Sequence, residues 1–140
     1  MTVDPRPKPI PDIDTAPYWA AVREHVLRLQ RCPACNRYAF PPKPRCPACL
    51  HQPLEWVPVS GRGKVRTFAI MRDTFMKAFP PPYAVAEVEL EEQPGLTITT
   101  NIVECDVDDV RIDLPVEVTF VDRPPDVTIP QFRPQRPASS

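Results

Sequence analysis

Two periods of hydrophobic and polar residues run along this chain. Near its start Trp19, Val22 and Val26 recur at i, i+3 and i+7, one apolar stripe of a short helix. Thr15 stands where an N-cap belongs, and Pro17 falls in the first turn, where its missing N–H costs little. The period then shortens to two. Leu27 and Leu29 alternate with Arg28 and Gln30, and Tyr38 and Phe40 alternate further on. Pro41, Pro42 and Pro44 bend the chain before Leu54, Trp56 and Val59 continue it. Ser60-Gly61-Arg62-Gly63 reads as a linker and turn.

Beyond that point the pattern is β throughout. Strands are expected over 63–72, over 83–91 and over 96–104, with Gln93-Pro94-Gly95 turning the chain between the last two. Ala84, Ala86, Val88 and Leu90 share one face of the second strand, with Glu87, Glu89 and Glu91 on the other. Residues 106–113 suit a helical turn capped by Asp106. Val116, Val118 and Phe120 alternate in the next strand, and 127–132 closes the series. Four or five strands in this arrangement fit a small closed barrel of OB type, although periodicity alone fits other small barrels equally well. The division is an extended leader (1–14), a helix with a cysteine-bearing ribbon (15–59), a barrel (60–134) and a tail (135–140).

Composition changes this picture in three places. Twenty-two prolines among 140 residues, many near the two ends, suggest extended tails. No apolar run is long enough to span a bilayer, and residues 1–14 lack the apolar core of a secretory signal, so a cytoplasmic location is expected. Charge is uneven: residues 1–72 hold 12 Lys/Arg against 5 Asp/Glu, and residues 73–140 hold 5 against 13. A basic first half suits an anionic ligand, and an acidic second half disfavours wrapping nucleic acid.

The sharpest chemistry is Cys32, Cys35, Cys46 and Cys49, spaced C-x2-C-x10-C-x2-C. Each CxxC turn presents two thiolates to one ion, and the ten residues between suffice for a hairpin that brings the pairs together. Four thiolates complete tetrahedral zinc and leave no open position, as in a structural site. Disulfides would need an oxidising compartment, a redox CxxC would need a thioredoxin-like context, and iron in the same ligand set is chemically possible. The residue after each second cysteine favours a left-handed backbone. Asn36 accepts that conformation and Leu50 does so poorly, so a looser second knuckle is expected. Cys105 reads as a buried structural thiol, and neither His25 nor His51 has an acid or nucleophile beside it in sequence. Asp106, Asp108 and Asp109 lack the glycine and glutamate of a calcium loop.

These features assemble into a resemblance. PYWAAVR (17–23), LRLQRCPAC (27–35), FPP (40–42), CPAC (46–49), Trp56 and SGRGKV (60–65) carry it in the first half. PYAVAEVEL (82–90), NIVECDVDDVRI (101–112), PVEVTF (115–120) and IPQFRP (129–134) carry it in the second. Together they resemble the family of acyl-CoA-associated proteins that joins an N-terminal helix, a rubredoxin-like zinc ribbon and a C-terminal OB-fold. The resemblance implies a mainly β fold, one structural zinc and a non-catalytic accessory subunit. Such a subunit would bind a thiolase-superfamily enzyme (a thiolase, an aldolase or lyase, or an acyltransferase) in a hetero-oligomer and help bind or channel its acyl-CoA substrate. Candidate contacts with partner or ligand are Trp19, Arg23, Arg31 and Lys43, with Phe75, Met76 and Phe79 in an apolar loop. The alternative is a single-stranded nucleic-acid-binding protein, since ribbons and OB barrels both serve that purpose. A third reading makes the chain an enzyme that uses Cys105 or a histidine.

Overall fold

In the computed structural model, which describes residues 9–10, 12–73, 80–123 and 127–135, the first regular feature is a capped turn. Asp12 Oδ1 accepts the N–H of Thr15 (2.8 Å) and of Asp14 (3.0 Å), and Thr15 Oγ1 accepts the N–H of Asp12 (2.9 Å). The Thr15 amide and hydroxyl hold the Asp12 carboxyl below its ordinary pKa. Thr15 occupies the N-cap position, as expected, but its side chain makes no bond into the helix; Asp12 caps the turn that leads into it. Helix α1 (Ala16–Arg23) follows, with Tyr18, Ala21 and Val22 as its buried face. Trp19 is half-buried beside that face, whereas Val26 falls beyond the last helical residue, so the expected stripe stops short of it.

The helix ends on a residue that also ties it to the barrel. His25, at φ 62°, donates its N–H to Val22 O (2.8 Å), and Val26 donates to Ala21 O (3.0 Å), the paired bonds of a Schellman motif.

Three short strands form the ribbon sheet. Strands β1 (Arg28–Arg31), β2 (Tyr38–Ala39) and β3 (Glu55–Pro58) are antiparallel in the order β2-β1-β3. The barrel follows in β4 (Arg62–Met71), β5 (Tyr83–Leu90), β6 (Thr97–Ile102), β7 (Pro115–Arg123) and β8 (Val127–Pro134). Its order is β4-β5-β6-β8-β7, closed by β7 on β4, with β6 and β8 parallel where Ile102 meets Phe132. This is the OB-like barrel that the alternation suggests. Between β6 and β7, Asp106 caps a single 3-10 turn (Val107–Asp109) by accepting the Asp108 N–H. Val110 and Leu114 beyond it are buried. Among the described residues no helix is long and apolar enough to cross a membrane.

Closure is tightest at Gly63, which faces Leu90 on β5 and Val116 on β7. A Cβ there would collide with the Glu89 carbonyl oxygen. Gly95 differs: at φ 80° it needs a left-handed backbone, yet nothing lies within 4 Å of where its Cβ would be.

One apolar core runs through all three parts. Val22 of α1, Leu29 of β1 and Val65, Val88, Val116 and Phe132 of the barrel belong to the same buried cluster. Helix α1 packs on β1 and β8. Two polar links accompany this packing. Gln93 Oε1 accepts the Tyr38 N–H (2.9 Å) while its Nε2 donates to the Tyr38 carbonyl (3.2 Å), so one amide satisfies both backbone groups of Tyr38 in β2. The His25 ring stacks on Phe120 with centroids 5.1 Å apart, and its Nε2 lies 2.9 Å from Asp122 Oδ1. His25 first and Thr128 second lower the Asp122 carboxyl pKa. The stability gained from this depressed acid is present above its unfolded pKa and is lost as pH falls through the folded one.

The barrel also corrects the charge reading. The division at residue 72 cuts off Arg62, Lys64 and Arg66 of β4, which belong to the barrel. Over 62–134 the count is 8 Lys/Arg against 13 Asp/Glu. Arg62 approaches Glu91 (3.4 Å), and Lys64 and Arg66 approach Glu89 (3.9 and 3.7 Å). Two glutamates of the acidic row thus face cations from the adjacent strand.

Substitution at the two glycines separates crowding from backbone strain. Gly63→Ala should lower stability by about 3 kcal/mol or more, because the Glu89 backbone must move to admit the methyl. Gly95→Ala should lose only about 1–2 kcal/mol, from its left-handed backbone. Urea denaturation of the zinc-loaded protein measures both; equal losses would contradict the close approach at Gly63.

Candidate metal centre

Two knuckles bring the four cysteines together, and they are built alike. In the first, Asn36 donates its N–H to Cys32 O (2.7 Å) and Cys32 donates to Arg37 O (2.8 Å). In the second, Leu50 donates to Cys46 O and Cys46 donates to His51 O, both at 2.9 Å. Asn36 and Leu50 have φ of 64° and 67°. The expected looseness of the second knuckle is therefore not seen; Leu50 adopts the required conformation, at a cost of about 1–2 kcal/mol for a residue with a Cβ. Cys32 and Cys46 are buried and Cys35 and Cys49 are exposed.

The sulfur geometry fits a tetrahedral ion. All four Sγ atoms lie within 4.8 Å of one another, with Cys32–Cys49 at 3.5 Å and Cys35–Cys46 at 3.6 Å. Four sulfurs about 2.3 Å from one zinc stand about 3.8 Å apart, whereas a disulfide would need about 2.05 Å. Electrostatics supports the same conclusion. The N–H groups of Cys49 and Ala48 bring the Cys46 thiol down to about 6 against the opposing effect of burial. At Cys49 the His51 N–H favours the thiolate, but the Cys32 thiol, burial and the other two cysteines outweigh it and carry the group to about 12. Cys35 follows the same pattern: the Arg37 N–H lowers it, while burial and the Cys46 and Cys32 thiols raise it overall. The Cys46 thiolate forms readily while Cys35 and Cys49 resist, and a divalent cation held among the sulfurs offsets that resistance. Cys32, Cys35, Cys46 and Cys49 form a structural site for one zinc, with every coordination position taken by sulfur.

The remaining candidate residues do not converge on this centre. Trp19 is half-buried, its ring edge-on to Tyr18 with centroids 5.1 Å apart. Arg23 is exposed in the last turn of α1, where a cation suits the helix dipole. Arg31 pairs with Glu55 across the β1–β3 register at 3.3 Å, so part of its charge serves the ribbon itself. Lys43 uses its backbone: its N–H donates to Gln30 Oε1 (2.6 Å), and its side chain is exposed. Phe75, Met76 and Phe79 lie outside the described residues. Cys105 is partly buried against the core, and burial first, then Asp109 and Asp106, raise its thiol pKa, which disfavours a thiolate nucleophile.

Sequence reasoning missed the two glutamines that organise the ribbon. Gln30 is buried in β1 and receives the Lys43 N–H, and Gln93 clamps β2. Gln30 occupies the polar phase of its strand, and Gln93 sits in a turn signal. Neither position carries a pattern that marks a long-range bond.

Comparison with known proteins agrees with this geometry. The model described as the ChsH2 rubredoxin-like zinc ribbon domain matches residues 19–55, and that of the ChsH2 C-terminal OB-fold domain matches residues 56–121. A chain of the Ltp2-ChsH2(DUF35) aldolase structure superposes with a TM-score of 0.82 at 35% identity, covering 91% of this chain and 98% of that one. A DUF35 domain-containing scaffold protein of Methanocaldococcus jannaschii is 35% identical over 108 residues, 73% of each chain. A probable enoyl-CoA hydratase alpha subunit of Thermomonospora curvata is 36% identical over 132 residues. The match spans 94% of this chain but 41% of that subunit.

Native mass spectrometry should find about one zinc per chain. Chelation should expose the amides of residues 32–54 to hydrogen exchange first, while β4–β8 stay protected. Simultaneous loss of protection would show instead that ribbon and barrel unfold as one unit.

Proposed function

Because the chain belongs to the ChsH2 family of zinc-ribbon and OB-fold proteins, we propose that it is a non-catalytic accessory subunit of a thiolase-superfamily enzyme. The observation that carries this reading is the match, over 98% of its length, to a chain of the Ltp2-ChsH2(DUF35) aldolase structure. Relatives described as DUF35 scaffold proteins and as benzoylsuccinyl-CoA thiolase subunit BbsA, from Thauera aromatica, support the same reading. Chemistry within the chain agrees. The zinc has no open position for substrate, Cys105 is held toward its thiol, and His25 is engaged with Asp122 and Phe120.

In this role the subunit meets the enzyme and helps hold a CoA-linked acyl substrate at the shared interface. Trp19, Arg23 and Lys43 serve as contacts there, and Arg31 contributes less because Glu55 already occupies it. Free thiols paired for zinc suit a reducing cytoplasm. Among the described residues the β4 cations Arg62, Lys64 and Arg66 face Glu91 and Glu89, which argues against the nucleic-acid alternative.

Coexpression with a thiolase-superfamily enzyme encoded beside this chain tests the proposal. The two should co-elute as a stable complex, and the enzyme's turnover of acyl-CoA should fall at least about tenfold without this subunit. An enzyme equally soluble and active alone would rule it out.

A further inference from the structure

The two zinc knuckles share their hydrogen bonds and their left-handed residue, but they differ in what occupies it: Asn36 in the first and Leu50 in the second. Asparagine is among the few residues that visit this conformation readily. Leucine is not, and here its strain brings no burial in return, because its side chain is 64% exposed. Pro47 and Ala48 of the same knuckle are exposed too, so the tip presents a small, rigid apolar head to water. Zinc and the knuckle hydrogen bonds hold that head in place before any encounter.

Charge around the head is one-sided. Residues 32–54 contain Arg37, Lys43 and Arg45 but no aspartate or glutamate. All three cations are exposed, and Arg45 reaches Gln52 Oε1 (3.4 Å), which keeps its guanidinium beside the second knuckle. The thiolate-bound zinc offsets part of this charge and leaves an excess of cations.

We propose that the second zinc knuckle is a docking head whose Leu50 enters an apolar, acid-rimmed pocket on the thiolase-superfamily partner, with Lys43 and Arg45 facing the rim. This rests on the accessory-subunit reading and adds where the contact is made. Zinc and the knuckle hydrogen bonds sustain the strain at Leu50 in the free chain, and burial in the complex is what the leucine side chain adds. A buried hydrophobic anchor within a charged rim is the usual anatomy of a strong contact.

The test compares the zinc-loaded full chain with Leu50→Asn, which copies the first knuckle, and with Asn36→Gly as a control. Affinity for the thiolase-superfamily enzyme encoded beside this chain is measured by calorimetry, and melting temperature is measured on the free chain. Leu50→Asn should bind at least about tenfold more weakly while melting at or above the wild-type temperature. Asn36→Gly should stay within about twofold in affinity. A complex that forms normally and is indifferent to Leu50→Asn overturns the docking head alone. Absence of any wild-type complex overturns the accessory-subunit reading and the head with it. Self-association of the wild-type chain that Leu50→Asn abolishes overturns the assignment to an enzyme in favour of a second copy of this chain.

Discussion

Like charges at close quarters set the terms for this fold. Four cysteine sulfurs within 4.8 Å of one another resist ionising together unless a cation joins them. Residues 32–54 make little regular structure of their own, one two-residue strand, and rely on that cation to hold two knuckles at fixed separation. An apparent binding energy of about 10–16 kcal/mol is available from such a site, more than a ribbon this size gains from apolar contacts. The rest follows in order. With the knuckles fixed, β1 and β3 pair, Leu29 is presented to the barrel, and α1 finds both β1 and β8 to pack on.

Much of this was legible before any coordinates. Cysteine spacing identifies the metal site because four thiolates at two short intervals have few other uses. Alternation places all five barrel strands because a two-sided surface must repeat every second residue. What stayed hidden was settled at one local turn and otherwise by contacts between elements. Thr15 holds the N-cap position that local rules give it, yet the side-chain bonds come from Asp12, whose carboxylate reaches two amides of the preceding turn. The buried face of α1 centres on Tyr18 and Val22, since β8 decides which face is covered. Gln30 and Gln93 find partners 13 and 55 residues away, a range at which residue type carries no signal. The charge split was misread because residue 72 is not a structural boundary: β4 carries its cations into the barrel.

The family likeness gains its meaning from a closed metal site. A zinc with four protein ligands has no open position for a substrate and serves to shape a surface. What it shapes here is a pair of tips of matched geometry and unmatched chemistry, one ending in an amide and the other in an aliphatic side chain. Function in this protein is therefore to be sought in what it presents outward.

The Gln93 amide also governs how movement passes between the parts. Apolar packing resists separation but allows sliding, whereas two opposed hydrogen bonds to a single residue resist rotation as well. With Tyr38 gripped at both its N–H and its carbonyl, the ribbon cannot pivot about β2 without breaking both bonds. Turning the ribbon about Tyr38 would strain both bonds at once, so the orientation of the zinc tips is tied to the turn between β5 and β6.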